Sequence, residues 1–193
     1  INEKIVTGNL TVKITTDLTE TGDVALNQTT EEAIYTITIQ PSAAVERLIS
    51  GAVANGMIRL NGADGVVFDG RFEGAGSYLR FRNTNTSNGI FTILNSSTNN
   101  TIKNCIIEGA STSTSNGAIF FSTGNNTDNL VTDCLIRDLT SASGRPAVGV
   151  YFGSTTNSNN TVRNSSILNF NSYGIYFSTS TNNTVQSNQI YMT

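Results

Sequence analysis

Asn100-Thr101-Ile102-Lys103-Asn104-Cys105-Ile106-Ile107, Asn129-Leu130-Val131-Thr132-Asp133-Cys134-Leu135-Ile136, Asn160-Thr161-Val162-Arg163-Asn164-Ser165-Ser166-Ile167 and Asn183-Thr184-Val185-Gln186-Ser187-Asn188-Gln189-Ile190 align without a gap. Val131 follows Ile102 by 29 residues, Val162 follows Val131 by 31, and Val185 follows Val162 by 23. The repeat is therefore real but elastic, and a repeat in this range marks a stacked array.

A second series lies between these segments: Ile90-Phe91-Thr92, Ile119-Phe120-Phe121, Val150-Tyr151-Phe152 and Ile175-Tyr176-Phe177. Gly89, Gly117, Gly149 and Gly174 stand one or two residues ahead of it. Each repeat thus holds at least two short, β-branched or aromatic runs separated by Asn, Ser and Gly, which is strand and turn chemistry rather than helix chemistry. One such coil cannot bury its apolar face alone, so neighbours must cover it, stacked about 4.8 Å apart. Unequal turns argue against a strict hexapeptide solenoid. An immunoglobulin-like sandwich would need hairpin turns and leaves the aligned columns unexplained. The expected fold is all-β: a right-handed parallel β-helix with irregular coils of about 23 to 31 residues.

The earlier chain fits the plan less regularly. Leu10-Thr11-Val12-Lys13-Ile14 opens it, Tyr35-Thr36-Ile37-Thr38-Ile39 alternates up to Pro41, and Leu48-Ile49-Ser50-Gly51, Met57-Ile58-Arg59-Leu60 and Val66-Val67-Phe68-Asp69-Gly70 follow. No linker divides residues 1–193, so a single domain is expected, with less regular coils over 1–75 and regular ones over 76–193. The chain opens on Ile1 rather than Met and stops at Thr193 inside a strand-like run, which reads as a fragment of a longer protein.

Composition narrows the function classes. Only 13% of the 193 residues are charged and the net charge is −3, too small and too negative for nucleic acid or an anionic membrane. Apolar residues, at 37%, recur too regularly for disorder, and no run of about 20 of them is present to insert in a membrane. His is absent, which removes the commonest general base and zinc ligand. Cys105 and Cys134 make no disulfide framework.

Three stretches carry a resemblance. Tyr35 to Pro41, Ile58-Arg59-Leu60-Asn61-Gly62-Ala63-Asp64-Gly65-Val66-Val67-Phe68-Asp69-Gly70 and Asn99-Asn100-Thr101-Ile102-Lys103-Asn104-Cys105 are similar to the right-handed β-helix regions of large surface proteins exported by the type IX secretion pathway. The fold this implies also occurs in pectate lyases, polygalacturonases and phage tailspikes. The resemblance implies an extracellular or cell-surface home. It speaks for the fold and says little about activity, because one fold hosts many functions.

In a coil stack, aligned positions become columns. Ile102/Val131/Val162/Val185 and Ile107/Ile136/Ile167/Ile190 are expected to face the core. Cys105/Cys134/Ser165/Asn188 should form a polar ladder at the bend between them, with the thiols as small fillers, and Asn100/Asn129/Asn160/Asn183 a turn ladder. Glu108 aligns with Arg137, which predicts an exposed ion pair between coils. Alternation puts Thr92, Phe121, Phe152 and Phe177 inward and Phe91/Phe120/Tyr151/Tyr176 outward, an aromatic column on which sugar rings can pack.

Catalysis would need carboxylates in pairs. The best available constellation is Asp133, Arg137 and Asp138, and Asp133 aligns with Asn104, Asn164 and Ser187 as a turn residue. Asp64, Asp69 and Glu73, among glycines, are the candidate Ca²⁺ ligands, although turn chemistry explains the same residues. No other cofactor is expected. The leading expectation is a non-catalytic scaffold or adhesin segment that presents side chains to a polysaccharide or cell-surface glycan, with Phe91, Phe120, Tyr151 and Tyr176 as ligand contacts. A polysaccharide lyase or glycoside hydrolase domain is the alternative, and a filament subunit self-associating through its coil ends is the second.

Overall fold

A computed structural model describes residues 7–28, 35–139 and 144–193. The chain winds through three parallel sheets in turn. The first sheet stacks Leu10–Ile14, Ile37–Pro41, Val66–Asp69, Thr101–Lys103, Leu130–Thr132, Thr161–Arg163 and Thr184–Gln186. The second stacks Leu18–Thr19, Arg47–Gly51, Leu79–Asn83, Cys105–Gly109, Leu135–Arg137, Ser166–Leu168 and Gln189–Tyr191. The third stacks Leu26–Asn27, Ile58–Asn61, Phe91–Leu94, Ile119–Phe121, Val148–Phe152 and Tyr173–Phe177. The result is an all-β solenoid without a helix among the described residues. The strands before residue 75 join the same sheets in continuous register.

Corners explain the elasticity of the repeat. First and second sheets meet at a tight bend whose lead residue, Asn104, Asp133, Asn164 or Ser187, has φ of 51° to 56°. Short polar side chains tolerate that left-handed conformation best after glycine. At the same corner one coil earlier stands Gly70, where an added Cβ would lie 1.8 Å from the Asn104 carbonyl oxygen. The connection from second to third sheet takes up most of the change in length: it spans residues 138–147 in one coil and 169–172 in the next.

Three sets of columns fill the interior. Val12/Ile39/Phe68/Ile102/Val131/Val162/Val185 lines the first sheet, and Leu18/Ile49/Phe81/Ile107/Ile136/Ile167/Ile190 lines the second. Leu26/Leu60/Ile93/Phe121/Phe152/Phe177 lines the third. Phe68, Phe81 and Phe91, one from each sheet, meet edge to face at 4.9 to 5.7 Å between centroids. Further along, Phe121, Phe152 and Phe177 stack flat at 4.4 and 4.6 Å.

Amides hold the turn into the first sheet. The Asn129 Oδ1 accepts from both the backbone N–H (3.0 Å) and the Nδ2 (2.9 Å) of Asn100. Asn160 does the same for Asn129, and Asn183 for Asn160. The Nδ2 groups also donate to the backbone carbonyls of Ala63, Ser97, Asn126 and Asn157. Each interior asparagine is buried with its hydrogen-bonding groups engaged, which is what such burial requires. Asn129→Ala strands these groups in the core and is expected to destabilise by roughly 3 kcal/mol. Asn183→Ala, in the last coil, should have a clearly smaller effect. Urea unfolding of both variants measures the difference, and equal effects would contradict the ladder as a stabilising device.

Candidate functional site

The outward face of the third sheet carries an aromatic run. Phe120 and Tyr151 are tilted rings 5.3 Å apart, and Tyr151 stacks on Tyr176 at 5.2 Å with 29° between planes. Tyr173 stacks on the same Tyr176 at 4.6 Å and 22°. Phe120, Tyr151 and Tyr176 are half-buried while Tyr173 is 48% exposed. Because Tyr176 lies between two rings, the run offers solvent ring edges, phenol hydroxyls and the freer ring of Tyr173, rather than a flat platform. The backbone after Tyr151 fits closely against it: a Cβ at Gly153 would come within 2.6 Å of Tyr151 Cε1 and 2.7 Å of Phe120 Cε2.

Phe91 does not belong to this run. Phe91 pairs with Ile119, and Thr92 with Phe120, so Phe91 points into the core and is fully buried. Thr92 takes the outward position instead, under the turn at Gly56, whose Cβ would meet Thr92 Oγ1 at 2.4 Å. Matching Ile90-Phe91 to Ile119-Phe120 is one residue out of register, and a one-residue slip exchanges the two faces of a strand. The correct signal is glycine on glycine: a Cβ at Gly89 would meet the Gly117 carbonyl oxygen at 1.8 Å, which places the two in stack.

Tyr173 escapes a parity reading for a related reason. An added Cβ at Gly149 would strike Ile167 Cγ2 at 2.5 Å, and one at Gly174 would strike Ile190 Cγ2 at 2.3 Å. These glycines therefore face the core next to inward Val150 and Ile175, and the alternation breaks. Tyr173 and Tyr176, three residues apart, emerge on one side.

The charged candidates are dispersed among separate partners. Asp133 is an exposed corner residue at φ 56°, and its Oδ2 accepts from Thr132 Oγ1 at 2.6 Å. Asp138 Oδ1 accepts from Asn169 Nδ2 at 3.1 Å. Arg137 donates to Glu108 through Nε (3.2 Å) and Nη2 (2.8 Å). The expected Glu108–Arg137 pair is thus present, but it is not an exposed one. Glu108 is fully buried, and Arg82 binds its other oxygen at 2.6 and 2.7 Å. A shallow depression of about 480 Å³ lies over Ser77, Ile106, Asp133, Cys134, Leu135, Asn164 and Ser166. It takes in Asp133 but neither Arg137 nor Asp138.

The three Ca²⁺ candidates also have separate duties. Asp64 Oδ1 accepts from Thr98 N–H (2.6 Å) and Oγ1 (2.9 Å), tying two coils. Asp69 is held by Arg71 at 2.9 Å and Lys103 at 3.2 Å. Glu73, at φ 48°, is exposed at the tip of a turn with Gly74 at φ 83°. No grouping of three metal-ligating side chains occurs among the described residues. Burial raises the Asp69 pKa, but the hydrogen bonds from Arg71, then the contact with Lys103, outweigh it and leave the carboxyl below its usual 3.8.

Cys105 and Cys134 are free and buried at the bend, each Sγ facing the carbonyl two residues back, at 3.2 and 3.3 Å. Burial, reinforced by neighbouring Cys134, pushes the Cys105 thiol well above its usual value, which suppresses thiolate chemistry. The ladder continues through Ser165 and Asn188: Cys134 N–H donates to Ser165 Oγ, and Ser165 N–H to Asn188 Oδ1.

Residues 64–193, more than half of the chain, match the family described as right-handed β-helix region. The chain belongs to that family. No curated protein and no solved structure matches it. Family membership fixes the β-helix and its right-handed winding, and it assigns no role to the aromatic run or to the carboxylates. No helix among the described residues is long and apolar enough to cross a membrane.

Two measurements probe these environments. Asp69, with a depressed folded-state pKa, stabilises the fold above pH about 3.8 and loses that contribution as pH falls through its folded value. Asp69→Asn should therefore be less stable than the parent at neutral pH, with the gap narrowing below that point. Equal pH–stability curves would contradict the pairing. Both thiols should resist an aromatic disulfide reagent in the native protein and react in denaturant; rapid native labelling would contradict their burial.

Proposed function

We propose that this β-helix is a non-catalytic scaffold of an extracellular or cell-surface protein, and that its third sheet binds a glycan along Phe120, Tyr151, Tyr176 and Tyr173. The observation that carries the reading is the aromatic run itself, a continuous four-ring strip on a surface otherwise dominated by Asn, Ser and Thr. The C–H faces of sugar rings pack on aromatic carbon, and phenol hydroxyls both donate to and accept from sugar hydroxyls. Its neutral polar surface suits an uncharged polysaccharide. The low charge and the resemblance to proteins exported by the type IX route favour a surface location. In this reading Arg137 and Asp138 maintain coil contacts, Asp133 shapes a corner, and Ca²⁺ is not needed.

A carbohydrate-active enzyme is the competing reading, favoured by the depression beside Asp133. Incubating the purified domain with acidic and neutral polysaccharides, with and without Ca²⁺, and sizing the products separates the two. The scaffold reading expects intact chains, some co-eluting with the protein. Shortened chains would replace it with the enzyme reading. Tyr151→Ala should weaken glycan binding by roughly five- to tenfold, about 1 kcal/mol or slightly more, while leaving the fold intact.

A further inference from the structure

We propose that the third sheet takes an extended, uncharged β-1,4-linked glycan lying along the coil axis, one sugar per coil, over Phe120, Tyr151 and Tyr176. This rests on the glycan-binding reading above and adds linkage, direction and register to it. Phe120 pairs with Tyr151 and Tyr151 with Tyr176, so the three rings occupy one column on successive coils. Their centroids are 5.3 and 5.2 Å apart. That is little more than the roughly 4.8 Å between stacked strands, so the row follows the coil axis.

A periodic surface selects a polymer whose own repeat matches it, because any mismatch accumulates from one contact to the next. In β-1,4-linked glucose, mannose or N-acetylglucosamine both bonds leaving each ring are equatorial. Such a chain is drawn out straight and advances per sugar by nearly the distance between these rings. An α-1,4-linked glucose chain leaves each ring through an axial bond, coils, and advances by much less. A β-1,3-linked chain curves away from a straight row. Only the straight chain keeps every sugar beside a ring. Tyr151 and Tyr176 also supply one phenol hydroxyl per coil, able to donate to or accept from a sugar hydroxyl.

The surroundings suit such a chain. Ser122, Gly153 and Ser178 stand two residues beyond the three aromatics and are too small to wall them off. The Phe120 and Tyr151 rings reach over Gly153, in the space its missing Cβ would fill. Residues 118–127, 146–157 and 173–181 hold the three strands and the turns that leave them. They contain no Lys, Arg, Asp or Glu, so a uronate or sulfate gains no cation there. Below Phe120 the column stops being aromatic. Thr92 lies under the Gly56 turn, and Arg59 donates from Nη2 to the Gly22 carbonyl at 2.6 Å. Tyr173 shares a strand with Tyr176 and widens the row rather than lengthening it. Among the described residues the row therefore counts three coils.

The test is calorimetric titration of the chain with mono-, di- and trisaccharides. The β-1,4-linked series are those of glucose, mannose and N-acetylglucosamine, and α-1,4- and β-1,3-linked glucose serve as controls of equal charge. In at least one β-1,4 series affinity should rise by roughly fivefold with each added sugar. The two control series should show no such gain. Phe120→Ala, at one end of the row, should abolish the gain from di- to trisaccharide and leave the disaccharide's affinity largely unchanged. The comparison of length and linkage needs the parent alone, so it holds whatever Phe120→Ala does to the fold. Affinity independent of length, or an equal gain in a control series, overturns the linkage and register and leaves the glycan-binding reading standing. Absence of binding in every series also overturns the proposal, and the polysaccharide incubation then decides whether the glycan-binding reading falls with it.

Discussion

Each coil of this β-helix has polar groups at its corners that only the next coil satisfies. The asparagine at the entry to the first sheet shows the constraint most clearly. Its carbonyl oxygen receives two donors from the preceding coil, and its own N–H groups go to the following coil and to backbone. A buried amide left without these partners would be strongly unfavourable. The stack must therefore be in register at every level, and the ladder enforces it. Apolar columns of Val, Ile and Phe supply the bulk of the burial, but aliphatic columns alone tolerate sliding far better than paired amides do.

Charge is treated in the same way. Glu108 sits at a position that alternation directs outward, yet it is fully buried because arginines from the coils on either side close over it. Two guanidiniums on opposite oxygens satisfy the carboxylate, the condition under which a buried charge is tolerated. Asp69 is clamped by Arg71 and Lys103, and Asp64 by Thr98. Glu108, Asp69 and Asp64 thus serve as fasteners between or within coils. A carboxylate occupied in this way is poorly placed for acid–base chemistry.

That strip depends on backbone more than on its own side chains. Gly153 lets the chain pass against the rings of Phe120 and Tyr151, while Gly149 and Gly174 let the strands turn inward without a side chain. The turn brings Tyr173 beside Tyr176. Glycines here shape a surface indirectly, by removing atoms from the core side.

The fold, the aliphatic columns, both ladders and the Glu108–Arg137 contact were legible in the sequence, because stacked coils place residues at equivalent repeat positions directly on one another. Identical residues at those positions, such as Asn100, Asn129, Asn160 and Asn183, therefore announce their contacts. Direction within a strand was less legible. The Ile-Phe pair aligns with its neighbours and so points Phe91 outward, whereas stacking follows backbone register and puts Phe91 on Ile119. Tyr173 carries no signal in the alternation, because alternation fails where a glycine turns the chain. The burial of Glu108 required Arg82 as well as Arg137, and Arg82 lies outside the four aligned segments. Repetition along the chain thus determined which residues share a column, but which way a column faces and what closes over it were decided by three-dimensional packing, since one residue of slip or one missing Cβ exchanges inside for outside.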